Sequence, residues 1–151
     1  MSKKDKKKTP CKPLVKRFAI SVLLALVFGF LCSYLAWSGD PKLMENPGYW
    51  GGPLMLGIMF NRLLIGFAIT FSGFMTKHPL FGFRMYPVFR GALIGAFVSI
   101  DMVFGPFIMG YQEAALVAWM TVLSGAFYGM VIDLVATKFA GEGEDLYKGI
   151  K

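Results

Sequence analysis

Arg62 interrupts an otherwise apolar run, Leu54 to Met75, and it directly follows a second polar residue, Asn61. A guanidinium deep in hydrocarbon costs roughly 2.5 to 3.5 kcal/mol on insertion scales unless it is paired, reaches an interface or lines a wet cavity. Two carboxylates on neighbouring runs can answer it, Asp101 and Glu113. Such a node has two uses. It can be a static ion pair that sets helix register, or a polar path in which Asn61, Arg62 and Asp101 meet a solute, the arginine favouring an anion. A second candidate pairing lies at the other depth, where Asp133 can be neutralised by Arg90 or Lys77, or can stay solvated as an interfacial carboxylate. Asp101 and Asp133 are too far apart in depth to act as an acid/base pair. The chain has one histidine, His78, and no nucleophile motif, metal-ligand spacing or phosphate loop. Neither catalysis nor a metal or cofactor is expected.

The elements that must position these residues follow from hydropathy. Hydrophobic residues form 56% of the 151 and charged residues 17%, and mean hydropathy is +0.56, a balance typical of membrane proteins. The first apolar run, Phe18 to Trp37, is 20 residues long. It reaches about 30 Å as a helix, longer than the roughly 7 to 15 apolar residues of a secretory signal, so it is read as an uncleaved span. Proline and glycine clusters then punctuate the chain, including Asn46-Pro47-Gly48, Gly51-Gly52-Pro53 and Gly105-Pro106.

The reading is an all-α integral membrane bundle of four transmembrane helices. They cover about residues 18–37, 54–75, 87–109 and 114–136, within a transmembrane domain 18–138 flanked by a basic tail, 1–17, and a polar tail, 139–151. Gly105-Pro106 ends or kinks the third helix. Asp40 before Pro41 can cap a short turn, and Trp37, Tyr49 and Trp50 are placed for an interfacial aromatic belt.

Net charge is +7, and eight of the sixteen basic residues lie within the first 17 positions, from Lys3 to Arg17. With no aromatics interleaved for base stacking, this run is read as an orientation signal that meets anionic lipid head groups, not as a nucleic-acid site. Basic residues also occupy the second connection and the C-terminal tail, whereas the first and third connections hold only Lys42. Both termini are therefore expected in the cytoplasm. Cys11 and Cys32 are separated by about 31 Å if the intervening chain is helical, which excludes a disulfide between them.

Helical spacing refines the candidates. Met59, Arg62, Gly66, Ile69 and Gly73 share one stripe of the second helix, and at 1.5 Å per residue Arg62 lies about 12 Å inside Leu54. Gly91, Gly95 and Ser99 line the third helix, and Thr121, Gly125, Gly129 and Asp133 the fourth. Small residues at such spacing allow close helix contact, within the monomer or in an oligomer.

The segment Asn61-Arg62-Leu63-Leu64-Ile65-Gly66-Phe67, followed by Arg90-Gly91-Ala92-Leu93-Ile94-Gly95, resembles segments of small multi-span prokaryotic membrane proteins. The likeness covers the middle two helices, about a third of the chain. It implies a plasma-membrane location and a joint role for Asn61 and Arg62, with no activity to carry over. The functional expectation is a non-enzymatic helix-packing subunit or scaffold, self-associating or part of a larger membrane complex. The alternative is a small transporter or channel built on Asn61, Arg62 and Asp101.

Overall fold

The computed structural model describes residues 12–78, 80–108 and 110–147. Cys11, the basic residues before Lys12, the expected helix end at Met109, and Lys148 and Lys151 fall outside them. Helix α1 spans Lys12–Gly39, a short α2 spans Pro41–Met44, and α3 spans Pro53–Ser72. Helix α4, Pro87–Val98, passes into a 3-10 turn, Ser99–Val103, and then into α5, Phe104–Ile108. Helix α6 spans Ala114–Ala140, and a second 3-10 turn covers Gly143–Tyr147. Among the described residues, four helical segments are long and apolar enough to cross a membrane: Pro13–Gly39, Pro53–Ser72, Pro87–Ile108 and Ala114–Ala140.

Local chemistry accounts for the boundaries. Pro41, Pro53 and Pro87 each stand in a first helical turn, where no backbone N–H is needed. Asp40 caps α2, its carboxylate accepting from the Lys42 backbone N–H at 2.9 Å. Pro106 has no N–H to return to the carbonyl of Met102 and its ring crowds that carbonyl, so the third span tightens into a 3-10 turn just before it. The last helix runs four residues beyond the expected end at 136. It stops where Gly141 adopts φ +82°, a left-handed conformation that suits glycine. Conversely, α3 ends at Ser72, three residues before Met75.

Helices α1 and α4 each pack on both α3 and α6. The α4/α6 contact is the closest. A Cβ added at Gly91 or Gly95 would collide with the carbonyl of Gly129 or Gly125, and one at Gly125 would collide with the Ser99 hydroxyl. Gly66 holds α3 against α1, where a Cβ would sit 2.8 Å from Ala25 Cβ and from the Ser21 carbonyl oxygen. The glycine faces therefore meet one another, or α1, inside one copy of the chain.

A narrow apolar cluster lies between the helices: Ala25, Ile65, Ile69 and Ile132, backed by Leu24, Phe28, Ile94 and Val98. Large side chains such as Leu23, Phe60, Phe97 and Trp119 point outward, as hydrocarbon permits. Tyr49 departs from the expected aromatic belt. It turns inward, 2% exposed, and its hydroxyl donates to the Ser33 carbonyl at 2.7 Å.

Candidate functional site

Two buried polar nodes occupy different heights of the bundle. The first lies near the end that carries both described termini, where the start of α1 meets the end of α6. Its centre is Asp133, whose side chain is completely buried. One oxygen, Oδ2, accepts from Arg90 Nε at 2.7 Å. The other, Oδ1, accepts from Arg90 Nη2 at 3.0 Å, from the Thr137 hydroxyl at 3.2 Å, and from Arg17 Nη2 in a close ion pair.

The terminal nitrogens of both guanidiniums also reach protein oxygens, whereas Arg17 Nε is buried without a hydrogen-bond partner. Arg17 Nη1 donates to Thr137 Oγ1 and to the Gly141 carbonyl, each at 3.0 Å, and its Nη2 reaches the Ile69 carbonyl at 3.2 Å. Arg90 Nη1 donates to the Met75 carbonyl at 3.0 Å and lies 3.0 Å from Glu142 Oε2. A helix end leaves its last carbonyls without intrahelical partners, and here the arginines serve the ends of α3 and α6. Gly73 makes room for this, since a Cβ there would strike the Arg17 guanidinium. With two arginines, Asp133 and Glu142, the cluster is formally neutral.

The second node is built on Arg62, 3% exposed. Its Nη1 donates to Asn61 Oδ1 and Ser99 Oγ, each at 3.0 Å. Its Nη2 donates to Ser124 Oγ at 3.0 Å and approaches Cys32 Sγ at 3.4 Å. The guanidinium carbon sits 5.1 Å from the centre of the Tyr128 ring, which itself stacks on Phe28 at 4.8 Å. An aromatic face at that range attracts a cation.

Asp101 is connected to Arg62 only indirectly. Asn61 Nδ2 donates to Asp101 Oδ1 at 2.8 Å and to the Val98 carbonyl at 3.1 Å. The expected direct pairing of Arg62 with Asp101 is replaced by this amide relay. Arg62 lies level with Ser99, two residues deeper than Asp101, and Asn61 fills the intervening step. Glu113 takes no part. It stands exposed at the start of α6, with its backbone carbonyl accepting from Val117 N at 3.1 Å.

Several placements differ from expectation. Asp133 is buried rather than solvated, its pairing with Arg90 being the expected alternative that is found, while Lys77 is exposed on a loop. Arg17, assigned to the basic tail, lies inside α1 and is fully buried. Sequence reasoning missed Arg17, Thr137 and Glu142. One signal was present: the stripe Thr121, Gly125, Gly129, Asp133 continues to Thr137 at the same spacing.

Outside the spans, burial and the nearby Cys32 hold the Tyr49 hydroxyl above the usual phenol range. Tyr111 is shifted the same way, by burial and by its 3.0 Å hydrogen bond to Asp40. Among the described residues, no three His, Cys, Asp or Glu side chains are grouped to hold a metal ion.

No family model, curated protein or solved structure matches this chain.

Proposed function

We propose that the chain is a non-enzymatic structural subunit of a membrane complex, with both termini in the cytoplasm of a prokaryotic cell. The orientation is supported by Lys77, Arg84 and Lys138 at the end where α1 begins and α6 finishes, against Lys42 at the other. The cellular setting rests on the resemblance of the middle two helices.

The observation that carries the structural reading is an open recess on the bundle's side, in the half away from the termini. It measures about 260 Å³ between α5 and α6 and is lined by Val103, Phe107, Ala115, Ala118, Trp119 and Val122. Two alanines between aromatic walls make a socket for apolar side chains of a neighbouring helix, and packing in lipid depends on such small-residue sites. The glycine faces already meet inside the monomer, which leaves this recess for a partner. The buried charges fit the same role, because they tie the four spans together.

The test is gentle-detergent extraction with identification of co-purifying membrane proteins. Ala115→Trp, at an exposed position of the lining, fills the recess and should release the partner while the thermal melt stays near wild type. A partner retained by that variant, or a strictly monomeric wild type, refutes the assignment.

A second reading, a transporter or channel for an anionic solute, is favoured by one feature. The third span changes helical form beside Arg62, at Ser99–Val103. Anion flux in liposomes that Arg62→Ala abolishes would establish this reading, and absence of flux would remove it.

A further inference from the structure

The loop joining α3 to α4 and the segment after α6 are bound into one surface at the termini-bearing end. Lys77 and Arg84 form an antiparallel bridge, with His78 N donating to the Phe83 carbonyl at 2.8 Å and Met85 N to the Thr76 carbonyl at 2.9 Å. Gly143 N donates to the Gly73 carbonyl at 2.8 Å, which places the C-terminal turn against this loop. Leu146, fully buried, anchors that turn.

Between the two segments lies a cavity of about 510 Å³. Its walls have opposite charge. Lys77 and Arg84 line one side, and Glu142, Glu144 and Asp145 line the other. Glu142 is already engaged by Arg90 at 3.0 Å, and Arg84 lies 3.8 Å from Glu142, beyond hydrogen-bond range, with its side chain 70% exposed. Donors for an anion and an acceptor for a cation, Glu144, thus face the same space. Next to it the loop tip projects Leu80 and Phe81, 83% and 75% exposed. Exposed apolar residues beside basic ones, at the end of a spanning bundle, suit insertion at the boundary between head groups and acyl chains.

We propose that this cavity binds the headgroup of a zwitterionic phospholipid that carries a phosphate and a primary ammonium, as phosphatidylethanolamine does. Lys77 and Arg84 take the phosphate, Arg84 through its planar fork. Glu144 accepts from the ammonium, whose N–H donors distinguish it from a quaternary choline. The apolar tip packs beside the acyl chains, which separates a lipid from a free headgroup of the same charge. The site is independent of whether the bundle is a subunit or a transporter.

Native mass spectrometry of the full chain in mild detergent tests this, with equimolar phosphatidylethanolamine, phosphatidylglycerol and phosphatidylcholine supplied. Phosphatidylethanolamine should be retained above the other two. Lys77→Ala with Arg84→Ala should reduce its retention, each exposed contact contributing up to about fivefold. Glu144→Gln should erase the preference over phosphatidylglycerol, and Glu144→Lys should reverse it. All three sites are at the surface, and a thermal melt checks that each variant folds. Equal retention of the three lipids, a wild-type preference for phosphatidylglycerol, or unchanged selectivity in the Glu144 variants overturns the proposal. Excess glycerophosphoethanolamine should fail to displace the lipid, and displacement at concentrations equal to the lipid's overturns the assignment to a lipid.

Discussion

The two buried nodes solve the same problem by different means. At the termini-bearing end, two guanidiniums share a fully buried carboxylate, and Glu142 brings the cluster to neutrality. Toward the opposite end, Arg62 is held by an amide, two hydroxyls, a thiol and an aromatic face, and its nearest carboxylate is one side chain removed. The first arrangement joins α1, α4 and α6 and the ends of α3 through one atom group. In the second, charge is spread over neutral dipoles from all four spans. The difference teaches that a charge-centred node fails as a unit when its centre is removed, whereas a dipole-solvated arginine loses its contacts piecemeal.

The largest effect should come from the centre of the first node. Asp133→Ala leaves two buried guanidiniums without their carboxylate, and breaking a buried pair in this way costs about 3 to 5 kcal/mol. Reversible unfolding in mild detergent measures it. Gly95→Leu should follow, at about 1 to 3 kcal/mol or more, because the side chain would have to displace the Gly125 backbone. A stability near wild type would show that the α4/α6 contact is looser than described.

Arg62→Met should cost less than Asp133→Ala, about 1 to 3 kcal/mol, since it removes the charge together with the need to solvate it and leaves hydroxyls to be satisfied. Equal losses from the two variants would erase the contrast between the nodes. The smallest effect belongs to Asp101, which is exposed. Asp101→Asn should change stability by under about 1 kcal/mol. Through their shared partner Asn61, it should couple with Arg62→Leu by about 0.5 to 1 kcal/mol, the low end for residues in one hydrogen-bond network. Strong coupling in that cycle would restore a direct Arg62–Asp101 pair.

Much of the architecture could be read from residue order. Hydropathy outlined four spans, and Pro41 and Pro87 marked two helix starts, while Pro53, read as turn punctuation before residue 54, opens a third helix. The glycine stripes were visible too, because they follow from helical period alone. Which stripe meets which was not visible, since pairing Gly91 and Gly95 with Gly125 and Gly129 depends on tertiary register. Arg17 was concealed by its company: it closes a run of lysines, and local charge pattern gives no sign that its partner stands 116 positions away. Asn61 and Arg62 drew notice as a local conflict between polarity and context. The hydroxyl partners of Arg62, Ser99 and Ser124, are small residues that are ordinary in any apolar helix. The 3-10 turn at Ser99–Val103 was indicated only as a disturbance near Gly105-Pro106.

The central claim is that Asp133 fastens Arg17 and Arg90 as a structural clasp, with no further task for those charges. An apolar replacement of the buried triad, Asp133→Leu with Arg17→Met and Arg90→Met, compared with Asp133→Ala in reversible unfolding, both in a Glu142→Gln background that leaves no unpaired carboxylate, tests it most directly. Replacing a buried ion pair by well-packed apolar residues is often neutral or stabilising by about 1 to 4 kcal/mol. The triple variant should recover most of the stability lost in Asp133→Ala. A triple variant no more stable than Asp133→Ala, or an Asp133→Ala variant as stable as wild type, would contradict it.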